Sequence, residues 1–461
     1  MTLTEFLCIF SLHHAEIRMA GSMKISRGSI FWFGSVLIAL LALFIFIFIP
    51  VEKRRIGEPA ATRIYYADNI SMAHQAVIDR FNRLNDGVIE VVSVNLPFSK
   101  FSTNERKEIL ARALRSRSER LDVFSVDLIW VARFARWGHP LDPYFDQEKL
   151  THLNTEAMKS CYSGDRLVSI PLYLDIGLMY YRRDLLMALP DFTELENKLR
   201  NSMTWPEFIA LGKRLKSSGN PFYIFPGNNY EGLICSFYEL LDEEDEERMF
   251  KKESVQLYTA GARYALTHMV DMIHAERLTP QNVTAFDEHK SYLYALQHDA
   301  VFLRGWPGFL KQYKSIVPDS AKLAQYDVTA LPHIEGGKTT GVFGGWNLMV
   351  SRFSGKKRQA IKFIAFTLEK ENQELMYELG GYIPVVESVY NDTSFMEKYP
   401  ELKYYRDLLN TGKHRPYRPD YTKISDIVSY YIKMALKQNI SVDKALIHAT
   451  EEINSRRLFV K

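Results

Sequence analysis

Apolar positions along the chain follow two periods. Short apolar runs at 63–66 (RIYY) and 88–94 (VIEVVSV) predict strands. Between them Ser71 is placed to cap a helix whose apolar face is Val77, Phe81 and Leu84, the i, i+4, i+7 spacing. Asp86-Gly87 turns the chain into the second strand. Asn104 then opens a second helix with Ile109, Leu110, Ala113 and Leu114 on one side, and DVFSVD (122–127) forms a third strand running into Trp130. This β-α-β-α-β order predicts a mostly parallel sheet with helices on both faces. Ligands bind such sheets beyond the carboxyl ends of the strands, where Asp68, Asn69 and Asp127 fall.

The stretch IPLYLDIGLMYYRRDLL (170–186) organises the middle of the chain. Tyr173 and Asp175 alternate with Leu172, Leu174 and Ile176, the period of a strand with a polar face. Gly177 interrupts, a second apolar run follows, and RRDLL opens a helix. An aromatic and a carboxylate two residues apart on a strand point the same way. That pair suits a polyol, with a ring for the C–H face of a sugar and an acceptor for its hydroxyls. On these residues alone an ordinary strand with one exposed Asp is the favoured reading.

Downstream, Thr204-Trp205-Pro206-Glu207 is a capping box ahead of Phe208, Leu211 and Leu215. FYIF (222–225) is a strand, the acidic run 242–247 a solvated loop, and helical periods dominate to about residue 297. A strand at 300–303 ends in Arg304-Gly305-Trp306-Pro307; another spans 328–330. After the turn at 335–338 a strand runs into Phe343-Gly344-Gly345-Trp346, and 357–369 is a helix. Gly380-Gly381-Tyr382-Ile383-Pro384 breaks the chain, and the tail is helical from about Lys423.

Composition narrows this picture. A chain of 461 residues is too long for one compact core, so two lobes are expected. A net charge of +3 with no basic stripe argues against a nucleic-acid surface. Residues 30–51 carry no charge and cover the ~20 residues a bilayer-spanning helix needs, with Trp32 near one end. The run exceeds the apolar core of a cleavable signal, so an uncleaved anchor is expected. Lys24 and Arg27 before it, and Lys53, Arg54 and Arg55 after it, are too evenly balanced to orient it. Met23-Lys24-Ile25 reads as a natural start, which makes 1–22 an expected misassigned extension. Cys8, Cys161 and Cys235 form no C-x-x-C, and the latter two are expected as buried thiols.

Four places pair an aromatic or a glycine with a charge or a ring at a strand end: Asp127/Trp130, Tyr173/Asp175, Arg304/Trp306 and Gly345/Trp346. Carboxylates and guanidinium groups bond hydroxyls directionally, rings bury a pyranose face, and glycine lets backbone approach a ligand. Asp127 with Asp175 is also the obvious pair for glycoside hydrolysis. No nucleophile elbow, H-E-x-x-H or phosphate loop accompanies it.

Seven blocks in order carry a resemblance: 121–146, 169–186, 204–216, 228–237 (NNYEGLICSF), 300–309 (AVFLRGWPGF), 328–354 and 415–421 (RPYRPDY). Together they resemble family 1 extracellular solute-binding proteins, the sugar-binding receptors of ABC importers, of the trehalose/maltose-binding type. The resemblance implies an α/β, two-lobed periplasmic-binding-protein fold whose lobes are joined by crossings at 170–186, near 326–329 and at 380–384. It implies lobe 1 at 63–172 and 328–382 and lobe 2 at 173–327 and 383–461, after an extension (1–29), an anchor (30–51) and a linker (52–62). Ligand-contact positions carried over are Arg106, Asp127, Tyr173, Asp175, Trp306, Gly345, Trp346 and Arg415, with Tyr230 and Glu231 beside the cleft. The implied ligand is a sugar, a disaccharide or small oligosaccharide, and the implied partners are importer membrane subunits. No cofactor, metal, nucleic acid or catalytic residue is implied. The binding domain is expected on the extracytoplasmic side, tethered by the N-terminal helix. A sugar-sensing receptor and, less favoured, a glycoside hydrolase are the alternatives. Two departures stand out: the first loop is Ala67-Asp68-Asn69-Ile70-Ser71 rather than Gly-rich, and no lipid-attachment Cys follows the apolar run.

Overall fold

The first apolar runs form β1 (Thr62–Asp68), β2 (Ile89–Asn95) and β3 (Val123–Asp127), and β1 pairs in parallel with both others, as the alternation of strand and helix requires. The computed structural model describes residues 61–457 apart from 217–218, 251–253, 315 and 317–319. A short hairpin, β4 (Tyr162–Ser163) with β5 (Arg166–Leu167), precedes β6 (Ile170–Ile176) and β7 (Leu178–Arg182). The remaining strands are β8 (Tyr223–Ile224), β9 (Phe302–Gly305), β10 (Tyr326–Thr329) and β11 (Phe343–Val350).

These strands make two principal sheets. Sheet 1 has the order β2-β1-β3-β11-β6, with β11 antiparallel to β3 and β6. Sheet 2 has the order β10-β7-β9-β8. The chain changes sheet at Gly177, between β6 and β7, and returns between β10 and β11. The first change is tightly packed: a Cβ on Gly177 would lie 1.8 Å from Glu239 Oε1, so a larger residue would displace that carboxylate.

The principal helices are α1 (Met72–Leu84), α2 (Thr103–Arg115), α3 (Trp205–Leu215), α4 (Glu231–Tyr238), α5 (Glu243–Met249), α6 (Ala260–His274), α7 (Glu288–Gln297), α8 (Lys357–Thr367), α9 (Lys370–Gly380), α10 (Tyr421–Leu436) and α11 (Val442–Arg457). Helices α1, α8 and α9 pack together beside β1, with Phe81 set against Phe363 and Phe366 at 5.2 Å between centroids. In the second lobe Phe208, Phe222 and Phe302 form a triangle of rings under sheet 2. Helices α10 and α11 pack on each other, and α10 also packs on α4 and α6, so the C-terminal helices belong with sheet 2.

Three local expectations change. Leu84 is 66% exposed, because α1 ends there and its buried stripe is Ala73, His74, Val77, Ile78 and Phe81. Helix α2 starts ahead of Asn104: Ser102 caps it in a full capping box with Glu105. The acidic run 242–247 is not a loop. Asp242 accepts from the Asp245 amide and caps α5, where carboxylates near a helix N-terminus are favourable. Cys161 and Cys235 are free and buried, and burial pushes the Cys161 thiol up to about 12. Among the described residues no helix is long and apolar enough to cross a membrane. The expected anchor at 30–51 lies outside the described residues.

Candidate functional site

The register of sheet 1 assembles one wall. On β11, Trp346 lies opposite Asp127 of β3 and opposite Tyr173 of β6, while Gly344 lies opposite Asp175. Directly opposed residues share a face, and the period of two places Trp346 and Gly344 on the same side. Asp127, Tyr173, Asp175 and Trp346 therefore project together. Trp306, just beyond β9 in sheet 2, fills the space that Gly344 leaves: a Cβ there would meet its ring at 2.7 Å. Gly345 adopts φ +131°, and a Cβ on it would lie 2.6 Å from the Tyr173 carbonyl oxygen, so this position also requires glycine.

Arg106 reaches this wall from α2 and is fully buried. Its guanidinium carbon lies 4.2 Å from the Phe98 ring centroid and 4.3 Å from that of Trp346, a cation–π contact with each of two rings that meet edge to face. Its Nη2 donates to Asp68 Oδ1 at 2.9 Å. Asp68 is itself filled by protein donors, the Tyr66 hydroxyl (2.6 Å), the Ser125 hydroxyl (2.5 Å) and the Asn69 amide (2.6 Å). Behind them His74, Tyr382 and Tyr173 form a ring cluster, with Tyr173 and Tyr382 4.4 Å apart. Burial lowers the His74 imidazole below its usual value, so it sits neutral beside Asp68.

Arg415 connects the two lobes. Its Nη1 donates to Glu231 Oε1 at 2.7 Å, and its Nη2 to Asp127 Oδ1 at 3.3 Å and to the Phe343 carbonyl at 3.1 Å. Glu231, the first residue of α4, also accepts from the hydroxyls of Tyr421 and Ser425. Asp127 accepts from the Ile129 amide at 3.2 Å. Burial raises the Asp127 carboxyl, with Arg415 opposing and Glu231 reinforcing the shift. Asp175 has no such cation. Burial, with the nearby Asp127 charge adding to it, pushes its carboxyl up to about 8, so at neutral pH it largely keeps its proton and can donate as well as accept.

The opposing side comes from sheet 2 and its helices. Trp306 donates from Nε1 to Glu288 Oε1 at 3.4 Å and from its amide to the Tyr292 hydroxyl at 3.0 Å. Arg304 lies 4.0 Å over the Trp306 ring and is clamped by Glu239 through two bonds of 3.1 and 2.6 Å. Tyr230 is buried with its hydroxyl near Glu288, and burial holds the phenol well above its ordinary value.

The ligand-contact positions carried over from the family resemblance, with Tyr230 and Glu231, thus lie in one linked set. Arg106 stacks on Trp346, which pairs with Asp127 and Tyr173; Asp127 leads through Arg415 to Glu231; and Gly344, beside Asp175, leads through Trp306 and Glu288 to Tyr230. Trp130 does not join the cleft. It is 1% exposed and packs on Phe134 and against the edge of Trp346, so the Asp127/Trp130 pairing is a strand end beside a core ring. Asp68 as the partner of Arg106, Phe98, Tyr382 and Glu288 were missed; Asp68 alone carried a signal, its place at a strand end. Arg106 Nε and Nη1, Arg415 Nε and Asp175 Oδ1 are buried without a protein hydrogen bond. The set offers donors, an acceptor and rings. Cavities of about 510 and 660 Å³ lie elsewhere, lined respectively by Phe145 and Leu150 among others and by Phe222 and Pro280 among others.

Known proteins share this architecture. Residues 76–404 match the family described as "Bacterial extracellular solute-binding protein". A "Probable ABC transporter-binding protein" of Deinococcus radiodurans is 22% identical over 349 residues, spanning 75% of this chain and 82% of its own. The maltose-bound MalE3 of T. maritima superimposes with a TM-score of 0.75 at 26% identity, over 86% of this chain and 99% of that one. The GacH receptor of Streptomyces glaucescens GLA.O, solved unliganded and with acarbose, superimposes at 0.72 with 16% identity, over 86% and 98%, a likeness of fold. The two-sheet architecture and the family match agree: the chain belongs to the bacterial extracellular solute-binding protein family, whose members are binding proteins and not enzymes.

Proposed function

We propose that this protein captures a sugar, a disaccharide or small oligosaccharide, between its two lobes and delivers it to an ABC importer. The observation that carries the proposal is the shared face of Asp127, Tyr173, Asp175 and Trp346, met from the other sheet by Trp306 seated on Gly344. Rings on both sides match the apolar faces of a pyranose, and the unpartnered Arg106, Arg415 and Asp175 atoms match its hydroxyls. The maltose and acarbose complexes of the structural relatives support a saccharide of that size. Arg106, Asp127, Tyr173, Asp175, Trp306, Gly345, Trp346 and Arg415 are the contacts in this reading, with Tyr230 and Glu231 beside them.

The lobes in this reading are 63–172 with 328–382 and 173–327 with 383–461, closing about the segments that cross between sheets. Strand pairing puts the first change of sheet at Gly177 and the second after Thr329. Residues 30–51 hold the binding domain to the membrane on its extracytoplasmic side.

A thermal-shift screen of residues 62–461 against mono-, di- and trisaccharides tests the reading. A true ligand at 100-fold over Kd raises apparent stability by about 2.7 kcal/mol. The expected result is a rise with a di- or trisaccharide that chromatography then recovers intact. No rise with any sugar, or hydrolysis of the best one, overturns it.

A further inference from the structure

The rim of the cleft carries a polar set separate from the site. Lys107 follows Arg106 on α2, so their side chains leave the helix about 100° apart. Arg106 turns inward to Asp68, whereas Lys107 crosses to the other lobe. Its Nζ lies 3.3 Å from both carboxylate oxygens of Asp426 on α10, and Asn104 Nδ2 adds a contact of 3.4 Å to the same carboxylate. One turn earlier on α10, the Thr422 hydroxyl accepts from Arg133 Nη1 at 3.1 Å, and Glu108 of α2 holds Arg133 from the other side at 2.8 Å. Helix α10 packs on α4 and α6 of the second lobe, so both rungs span the lobes.

The two ends of the ion pair differ. The Lys107 side chain is 5% exposed and that of Asp426 47%. The Lys107 ammonium also donates to Asn104 Oδ1 on its own helix at 3.3 Å, so Asp426 is the carboxylate it meets across the lobes, and parting the lobes takes that counter-charge away and returns Lys107 to water. Neither residue belongs to the proposed ligand contacts.

We propose that Lys107 and Asp426 form a latch that holds the lobes together across the cleft and sets how long a captured ligand stays. The latch presupposes the two mobile lobes of the preceding reading. Because Arg106 and Lys107 are consecutive, a ligand that engages Arg106 steadies the same turn of α2 that carries the latch.

The test is pulsed electron paramagnetic resonance on the full chain in detergent, with no ligand added. Nitroxides at Glu119→Cys and Lys437→Cys, both exposed, report the distance between lobes on a Cys8→Ser background. Lys107→Met and Asp426→Asn should each lower the closed-to-open ratio about threefold to tenfold. The double variant should lose no more than the larger single loss, because the two act through one contact. Asp426→Asn is isosteric and half-exposed, so it keeps the fold if Lys107→Met does not. Two distinguishable results overturn the latch. If wild type and variants share one two-distance distribution, the lobes move without it. If every sample shows a single unchanged distance, the lobes do not move and the reading beneath the latch fails too.

Discussion

On sheet 1 the site is built on paired strands, Asp127 as the last residue of β3 and the others within β6 and β11. Asp127, Tyr173, Asp175 and Trp346 sit on three neighbouring strands, and hydrogen-bond register fixes the direction of each side chain. The other side of the cleft is built from ends: Trp306 follows β9, Glu231 opens α4 just after Tyr230, Glu288 opens α7, and Arg415 precedes α10. Paired strands give a wall whose geometry changes only if the sheet changes. Element ends can be re-aimed by short loops, and they need other anchors. Here the anchors are buried ion pairs, Arg304 with Glu239 and Arg415 with Glu231.

That contrast breaks most visibly at the ion pairs. Arg304→Met leaves Glu239 buried and unpaired against Gly177, at an expected cost of ~3–5 kcal/mol in unfolding free energy. A urea melt that shows less than about 1 kcal/mol would remove the anchoring role given to this side of the cleft.

The wall on sheet 1 is sharpened by pH. The folded-state carboxyl of Asp175 is raised from 3.8 to about 8, so between those values the native protein holds a proton that the unfolded chain has lost. Its contribution is fully present at low pH and disappears as pH rises through about 8. Asp175→Asn mimics the protonated form at every pH. It should match wild type near pH 4 and become progressively more stable than wild type toward pH 8, by up to ~1.4 kcal/mol per pH unit. Parallel stability curves for the two proteins would contradict a carboxyl whose Oδ1 is buried without a partner.

The smallest expected effect concerns how α2 delivers Arg106. Ser102→Ala removes the side-chain half of the capping box and should cost ~1 kcal/mol, read as a lower melting temperature. An unchanged melt would mean that packing alone sets the start of α2.

The same contrast explains what could be read in advance. Strand period gave the β-α-β-α-β core, and parity put Tyr173 and Asp175 on one face before any pairing was known. Trp306 was marked only by its place beside Arg304 at a strand end, and Arg106 and Arg415 were pointed to by likeness to a family alone. Glu288 and the Asp68–Arg106 pair escaped, the latter because its partners stand 38 positions apart and nothing local links them. Leu84 misled because spacing does not say where a helix stops. The acidic run at 242–247 misled because charge density hid an N-cap.

The central claim is that side chains from both sheets grip one saccharide. Titration calorimetry tests it most directly, with the best sugar from the thermal-shift screen against wild type, Asp175→Ala from sheet 1 and Trp306→Ala from sheet 2. Both variants should bind roughly ten- to a hundredfold more weakly while melting close to wild type, as loss of one stacked ring or one hydrogen-bonding carboxyl predicts. Wild-type affinity in both variants, or a loss that only follows unfolding, would contradict the account.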